Sequence, residues 1–195
     1  ALMTEAEVER GDHESLQKTV IQKWEAVKQV VLQPNEEKII PFSARLHAET
    51  PITTMNCRKN NSKVWLQTGL NINMGLDATD KDYLDVVPTQ GMANFIEAVE
   101  ACGYEIYQTD VEAGYLNGND FSSSSGIYQE LEFHPKKKFF SKINELEVSF
   151  ISEGNKTHAI LEVDRRFGND DHFSLTWTER TGQDELISMI KRFID

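Results

Sequence analysis

Apolar and polar residues alternate at the start of the chain, and this period of two is typical of a half-buried strand. One face carries Leu2, Thr4, Ala6 and Val8, and the other carries Met3, Glu5, Glu7 and Glu9. The range 16–32 is apolar without a clean period, which predicts a strand with a bulge near Trp24–Val27 and leaves a helix as the alternative. The range 38–46 alternates cleanly, and Pro41 within it indicates an edge strand. The range 63–74 gives the clearest strand pattern in the chain.

The middle of the chain changes from strand patterns to a helix pattern. The range 75–90 has no clear period, so we expect a connection and a linker there rather than a strand. From Met92 to Val99 apolar residues recur at i, i+3, i+4 and i+7, which predicts a helix that Gly103 ends. We place a domain boundary near Pro88, just before this helix.

The second half returns to short strands and closes on a helix. Glycine, asparagine and serine give 113–126 the composition of a flexible loop. Alternating runs predict strands over 127–133, 145–151, 159–163 and 173–177. The last apolar stripe predicts an amphipathic helix that Thr181 is placed to cap, with Leu186, Ile187, Ile190, Phe193 and Ile194 on its buried side.

Strands at regular spacing with turns between them favour β-sandwich units. We expect a mainly β chain of two sandwich domains, 1–88 and 89–195, with one helix after the linker and one C-terminal helix. The strands are too few for two complete sandwiches, and Ala1 already stands inside the first strand pattern. We therefore expect the first sandwich to lack its first strands and the chain to be a fragment.

The composition argues against several classes of protein. Of the 195 residues 39% are apolar, which is enough for a packed core, and no apolar run approaches the ~20 residues that cross a bilayer. There are 32 acidic residues against 20 Lys and Arg, so the net charge is −12. This charge argues against nucleic acid and anionic lipid as partners, because both attract basic proteins. Two cysteines without metal-ligand spacing fit a reducing cytoplasm, and a single disulfide between them is the open alternative.

Two segments carry a family resemblance. The first, 32–53, contains Pro41-Phe42-Ser43 and resembles a strand and crossover of arrestin-type proteins. The second, 64–88, resembles the bacterial sporulation-control family of the stage-zero M type. It shares with that family Thr68, Gly69, Leu70, Leu76, Asp77, Asp80, Asp82, Tyr83 and Leu84. Later runs similar to the family lie at 128–135, 145–150 and 161–166.

The resemblance implies two arrestin-like β-sandwich domains joined by a short hinge. It implies a cytoplasmic regulatory or scaffold protein with no catalytic role and no cofactor, whose partners are other proteins. It also implies that further residues before Ala1 supply the first strands. An open strand edge pairs readily with another chain, so we expect self-association, as a homodimer through exposed strand edges. The loop at 114–126 is more polar than the family pattern, so a partner contact there is expected to differ.

An acidic cluster near the expected hinge is the first candidate site. It contains Asp77, Asp80, Asp82 and Asp85. Its spacing is not that of a calcium loop and the bidentate Glu is absent, so a metal site is the weaker interpretation. A solvated hinge loop is the plain alternative. The third interpretation is a polar contact between domains, in which Asp77 or Asp80 meets Arg165 or Arg166.

Three other features of the sequence are candidate sites. Asp164 and His172 would suit a hydrolase, but no nucleophile motif accompanies them, which favours a strand end and a turn. If Trp65 were exposed, a carbohydrate- or small-ligand-binding sandwich would be the alternative function, although core or domain interface is favoured. Lys136–Lys138 form a basic hairpin tip that either contacts an acidic partner or is solvated. No catalytic, cofactor-binding or metal-ligating residue is predicted.

Overall fold

The structure is a computed structural model that describes residues 1–11, 13–72, 76–137 and 141–194, with Arg10 described by its backbone alone. These residues form ten strands and two helices. The strands are β1 Leu2–Arg10, β2 His13–Gln22, β3 Lys59–Asn60, β4 Val64–Leu70, β5 Ala78–Tyr83, β6 Tyr104–Ala113, β7 Ile127–Pro135, β8 Ile143–Glu153, β9 Lys156–Arg165 and β10 Asp171–Thr178. The helices are α1 Gln90–Ala101 and α2 Gln183–Ile194. The chain is thus mainly β, with one helix in each expected place.

The strands join in one hydrogen-bonded sheet of order β10-β9-β8-β7-β6-β1-β4-β5, while β2 pairs with β1 and β3 pairs with β6. Strands β6 to β10 form an antiparallel meander. The N-terminal strands reach this meander through a short parallel pairing, Glu7 opposite Glu112. A second link is the parallel pairing of β3 with β6.

The larger hydrophobic core lies between one face of the meander and the two helices. Phe95 of α1 stacks on Trp177 of β10 with ring centroids 4.5 Å apart. The Trp177 indole Nε1 donates to the carbonyl oxygen of Gly91 at 2.9 Å. A Cβ at Gly91 would lie 2.2 Å from Thr157 Oγ1, so glycine is what lets the helix come this close to the sheet. A smaller core contains Leu2, Ala6, Ile21, Val64, Val111 and Ile127.

Alternation along the meander sends every second side chain to the opposite face. On β7 the odd-numbered residues from Ile127 to Pro135 are buried and the even-numbered ones are half-buried. Strands β8, β9 and β10 likewise place core residues, among them Val148, Leu161 and Leu175, on the helix side. The face turned away from the helices is therefore lined by the polar set of each strand.

Helix α1 has the start and end that its sequence predicts. The Thr89 hydroxyl accepts a hydrogen bond from the Met92 N–H at 3.4 Å, which caps the first turn. Gly103 follows the helix with φ +96°, a conformation that glycine adopts without strain. At α2 the expected cap is wrong, since the Thr181 hydroxyl accepts instead from the Thr178 N–H at 3.2 Å.

Several strand predictions need correction. The range 38–46 is irregular; Pro41 offers no N–H to a ladder, and Phe42 packs on the Trp24 ring at 5.8 Å. Strand β2 ends at Gln22, before the expected bulge, and the register shift between β1 and β2 lies at Leu2 and Met3.

The range 75–90 contains β5, although a connection was expected there. Strand β4 ends at Leu70, and positions 73 and 74 of the strand predicted over 63–74 lie outside the described residues.

Strand β5 forms because β4 provides a pairing partner for an otherwise charged segment. Its register runs from Leu70 opposite Ala78 to Trp65 opposite Tyr83. Lys81 lies with its Nζ 3.9 Å from the Trp65 ring centroid. Backbone pairing thus outweighs the poor strand propensity of Asp and Lys here.

Two further findings concern membrane-spanning helices and the two cysteines. Within the described residues, neither helix is long and apolar enough to cross a membrane. Cys57 and Cys102, both among the described residues, are not joined in a disulfide. The division of the chain into two domains near Pro88 stays a prediction.

Candidate functional site

A row of carboxylates crosses the face of the meander that the helices leave uncovered. Glu132 on β7 lies opposite Glu147 on β8, Glu147 lies opposite Glu162 on β9, and Glu162 lies opposite His172 on β10. Glu130, two residues before Glu132, lies on the same side. Like charges placed opposite each other in a sheet destabilise it, so this pattern is costly to the fold. We call the set Glu130, Glu132, Glu145, Glu147 and Glu162 the acidic face.

Part of this face is the floor of a cavity of about 240 Å³. One wall is the segment that follows β6, with Tyr115, Leu116 and Asn117. The rest of the lining is Tyr128, Glu130, Glu147, Ser149, Ile160, Glu162 and His172. We call this cavity the acidic cleft, because its polar lining is dominated by three carboxylates.

Burial and crowding shift the protonation of these carboxylates. Burial, followed by the charges of Glu147 and Glu112, raises the pKa of Glu130 to about 8. Burial and then Glu162 raise the pKa of Glu147 to about 7. Burial and then Glu7 raise the pKa of Glu112 to about 7. Glu130 and Glu147 in the cleft, and Glu112 next to it opposite Tyr128, are therefore carboxyl groups that titrate near neutral pH, where a cation entering the cleft would displace their protons.

Few positive charges of the chain balance the acidic face. Among the residues that the structure describes, no Lys or Arg lies within 4.0 Å of a carboxylate oxygen of Glu112, Glu130 or Glu147. Glu162 pairs with His172, Nδ1 to Oε2 at 3.1 Å. Proton uptake partly relieves this crowding of carboxylates at neutral pH, and a positively charged ligand would instead stabilise their ionised form, so the cleft has a chemical preference for such a ligand.

The wall of the cleft is fixed by a carboxylate from outside it. Glu49 accepts hydrogen bonds from the backbone N–H groups of Ser124 at 2.9 Å and Ser125 at 2.8 Å, and from the Ser124 hydroxyl at 3.1 Å. Burial opposes ionisation of Glu49, but these hydrogen bonds outweigh it and lower its pKa. At the other side Asn119 N–H donates to Ser174 Oγ at 3.0 Å. The segment expected to be a flexible loop is thus held at its middle and near its C-terminal end.

A second cluster lies at the margin of the acidic face. His134 Nε2 is 2.5 Å from Glu132 Oε1 and 3.3 Å from Glu145 Oε2. Burial and then Glu132 raise the pKa of Glu145. One ligand atom of each residue lies within 4.8 Å of the others, which is a spacing that can hold a metal ion. We call these three residues the Glu–His–Glu cluster.

The residues expected to join the two domains have other neighbours. Asp77 Oδ1 accepts from the Ile72 N–H at 3.0 Å, and the Asp80 carbonyl oxygen accepts from Gln67 at 3.0 Å. Arg165 binds Asp171 at 3.0 Å and the Phe193 carbonyl oxygen at 2.6 Å, and Arg166 donates to Asn144 at 3.2 Å.

The sheet order also sets these residues apart. Strand β5, which contains Asp80, ends one side of the sheet, and β9 is one strand from the other side. The contact of Asp77 or Asp80 with Arg165 or Arg166 stays a prediction, and no part of the candidate site depends on it.

The alternative sites are not assembled as their functions require. Asp164 accepts from Asn144 at 3.0 Å, while His172 pairs with Glu162, so the two residues of the hydrolase hypothesis have different partners. Trp65 is 1% exposed, which confirms the core interpretation and removes the main support for a carbohydrate platform. Lys136 Nζ donates to the Glu100 carbonyl oxygen at 3.3 Å; Lys138 lies outside the described residues.

Sequence reasoning missed the acidic face, although its signal is present. Two glutamates two positions apart in 128–135, and two more in 145–150, predict that one side of each strand is acidic. The neighbouring strands and their register, which bring the carboxylates into one row, are not contained in that pattern.

Comparison with known proteins identifies one family. A family model described as SpoOM protein, Spo0M, matches residues 1–167. The sporulation-control protein spo0M of Bacillus subtilis (strain 168) is 30% identical over 166 residues, which are 85% of this chain and 61% of that protein. The chain thus spans less than two thirds of the curated relative it matches.

A solved structure extends the match to the whole fold. The crystal structure of Spo0M, sporulation control protein, from Bacillus subtilis superposes with a TM-score of 0.82 at 25% identity. The match covers 100% of this chain and 82% of that one. The mainly β, arrestin-like fold expected from the sequence is thereby confirmed.

Proposed function

The chain belongs to the Spo0M family, and we propose on that premise that it is a cytoplasmic regulatory or scaffold protein that works by binding other proteins. The relative from Bacillus subtilis is named a sporulation-control protein, which supports a regulatory role here. Control of sporulation by this chain is part of the proposal.

The acidic cleft is the observation that carries the proposal. It joins a cavity to a row of carboxylates that the described Lys and Arg residues do not neutralise. A basic segment of a partner protein, with Lys or Arg side chains entering the cleft, would supply the missing charge. Complementary charge also steers such a partner to the face and selects against acidic ones.

Catalysis is not part of the proposed function. The sequence has none of the motifs G-x-S-x-G, H-E-x-x-H or the phosphate-binding loop. In the cleft, His172 is bonded to Glu162. The net charge of −12 likewise supports a basic protein segment rather than nucleic acid or anionic membrane as partner.

A second copy of the chain is the other partner we propose, at a strand edge. Among the described residues β2 pairs only with β1 and β5 pairs only with β4. The edge of β5 carries Asp80, Lys81 and Asp82, and such charges discourage edge pairing. Strand β2 has exposed Leu16 and Val20, so we propose that the homodimer forms along β2. Sedimentation velocity at about 10 and 200 µM tests this, and a monomer at both concentrations would contradict it.

The test of the basic-partner proposal is a binding assay with a defined probe. A fluorescent peptide of about twelve residues rich in Lys and Arg is titrated with the protein at low salt. At about pH 8.5, where Glu130 and Glu147 are largely ionised, the double variant E130Q/E147Q should weaken binding about thirtyfold, because two removed charges of about 1 kcal/mol each at a half-buried site add to about 2 kcal/mol.

The matched control is E25Q/E179Q, which changes the net charge equally at two exposed positions. It should weaken binding less than twofold. Equal losses in both double variants would mean that the peptide senses only the net charge, and the proposed site would then be wrong.

A further inference from the structure

Three side chains with metal-binding atoms meet on two adjacent strands of the meander. Glu132 and His134 are two residues apart on β7 and share one face. The pairing of Phe133 with Leu146 places His134 beside Glu145 on β8. His134 Nε2 lies 2.5 Å from Glu132 Oε1 and 3.3 Å from Glu145 Oε2.

The imidazole of His134 is held in a fixed plane. Its ring stacks on Tyr107 of β6 with centroids 4.1 Å apart and an interplanar angle of 19°. Lys59 Nζ and Arg58 Cζ lie 5.4 and 5.5 Å from the centroid of the same Tyr107 ring. This stack directs Nε2 toward the two carboxylates. A ligand held in one orientation by its surroundings loses less freedom when it binds a metal.

The donor set selects the kind of cation. One imidazole nitrogen and two carboxylate oxygens are ligands of Zn²⁺, while Mg²⁺ and Ca²⁺ prefer oxygen alone. Bonds of about 2.0–2.2 Å in a tetrahedron place neighbouring ligand atoms about 3.3–3.6 Å apart. The His134–Glu145 separation of 3.3 Å already fits, and the Glu132 carboxylate needs to move away from His134 by about 1 Å.

The cluster differs from the other histidine–glutamate pairs of the chain. His158 meets Glu153 at 3.3 Å, and His172 meets Glu162 at 3.1 Å, each with a single carboxylate. Among the described residues, Glu132, His134 and Glu145 form the one group of three whose ligand atoms lie within 4.8 Å of each other. His172 and Glu162 therefore provide a matched control.

We propose that Glu132, His134 and Glu145 bind one Zn²⁺ ion, with water completing the coordination. The ion would join β7 to β8 at the margin of the acidic face. This site is separate from the acidic cleft, whose lining contains none of the three residues. It goes beyond the proposed binding of a basic partner and depends on different side chains.

The test uses the full chain, freed of metal by a chelator and titrated with ZnCl₂ in a calorimeter. We expect one ion per chain, and zinc in about hundredfold excess over the Kd should raise Tm by about 5–10 °C. The variants H134Q and E145Q should weaken binding at least tenfold. The control variants H172Q and E162Q should bind zinc within twofold of the wild type.

A measurement on the wild type keeps the proposal testable if a variant fails to fold. The ¹⁵N spectrum of the five imidazoles should change at a single ring on adding zinc, and E145Q, which retains His134, should abolish that change. The proposal is overturned if the wild type binds no zinc below about 100 µM. It is also overturned if H134Q and E145Q bind as the wild type does, or if zinc perturbs another histidine instead. Binding of the basic peptide by H134Q would still be expected, so the two proposals can fail separately.

Discussion

The side chain of Gln129 pairs with the backbone of Ile52 as if it were another strand. The Ile52 N–H donates to Gln129 Oε1, and Gln129 Nε2 donates to the Ile52 carbonyl oxygen, both at 2.8 Å. Gln129 Nε2 also donates to Ser62 Oγ at 2.7 Å. Ile52 belongs to the larger core, so one buried amide attaches the irregular segment before β3 to strand β7.

Replacing this amide should destabilise the fold strongly. Q129L keeps a similar shape but leaves buried backbone groups of Ile52 without partners, which costs about 2–4 kcal/mol in the free energy of unfolding. Urea unfolding followed by tryptophan fluorescence measures it. The exposed substitution Q33L should change the midpoint little. An unchanged midpoint for Q129L would contradict the role given to this side chain.

The acidic cleft should make the fold less stable as the pH rises. The pKa values of Glu130, Glu147 and Glu112, about 8, 7 and 7, lie above the ordinary 4.5. Between pH 4.5 and 8 the folded state therefore binds more protons than the unfolded state, so the free energy of unfolding falls with rising pH in this window. Urea midpoints measured from pH 5 to 8.5 test this.

The variant E130Q tests whether the cleft causes this pH dependence. E130Q carries no charge at any pH, so it should flatten the slope and stabilise the protein at pH 8 by about 1 kcal/mol, a value reduced for the partial exposure of the site. The exposed substitution E25Q should keep the wild-type slope. Stability that stays flat or rises from pH 5 to 8 in the wild type would contradict the shifted pKa values.

Gly91 should tolerate no side chain, although alanine is the better helix former by about 1 kcal/mol. The Cβ of G91A would lie 2.2 Å from Thr157 Oγ1 and 3.2 Å from Thr157 Cβ. Overpacking of this kind costs about 1–3 kcal/mol, so Tm should fall. Adding T157A removes the clashing oxygen and should recover part of the loss. If G91A raised Tm, the close approach of α1 to the sheet would be wrong.

Glu49 should control the order of the cleft wall. E49A removes the acceptor for the N–H groups of Ser124 and Ser125, and hydrogen bonds to a charged group contribute about 1.5–3 kcal/mol. Amide hydrogen exchange at these two residues should accelerate at least tenfold, while the exchange of β8 stays unchanged. E36A, which removes a carboxylate from a different turn, should leave Ser124 and Ser125 unaffected.

The sequence predicted those elements whose signals are local. Helix α1 has its apolar period, the Thr89 cap and Gly103 within one short segment. Strand β5 was missed because Asp80, Lys81 and Asp82 hide a strand whose stability comes from pairing with β4. The range 38–46 alternates as a strand does, yet no described strand pairs with it, so alternation alone misled.

The candidate site could not be predicted from local sequence patterns, for a similar reason. Alternation shows that Glu130 and Glu132 share a side of their strand, but the row that continues through Glu147 and Glu162 depends on the register of β8 and β9. The wall of the cleft comes from a segment held by Glu49, 75 residues away from Ser124 in the chain. Such contacts are set by tertiary packing rather than by spacing.

Mapping the basic peptide onto the protein by amide chemical shifts tests the central proposal most directly. The peptide should perturb the residues that line the acidic cleft, above all Glu130, Glu147, Glu162 and the wall at Tyr115–Asn117, and E130Q/E147Q should remove these changes. Perturbations confined to the irregular segment 23–46, or spread evenly over the acidic surface, would contradict the assignment of the acidic cleft as the partner-binding site.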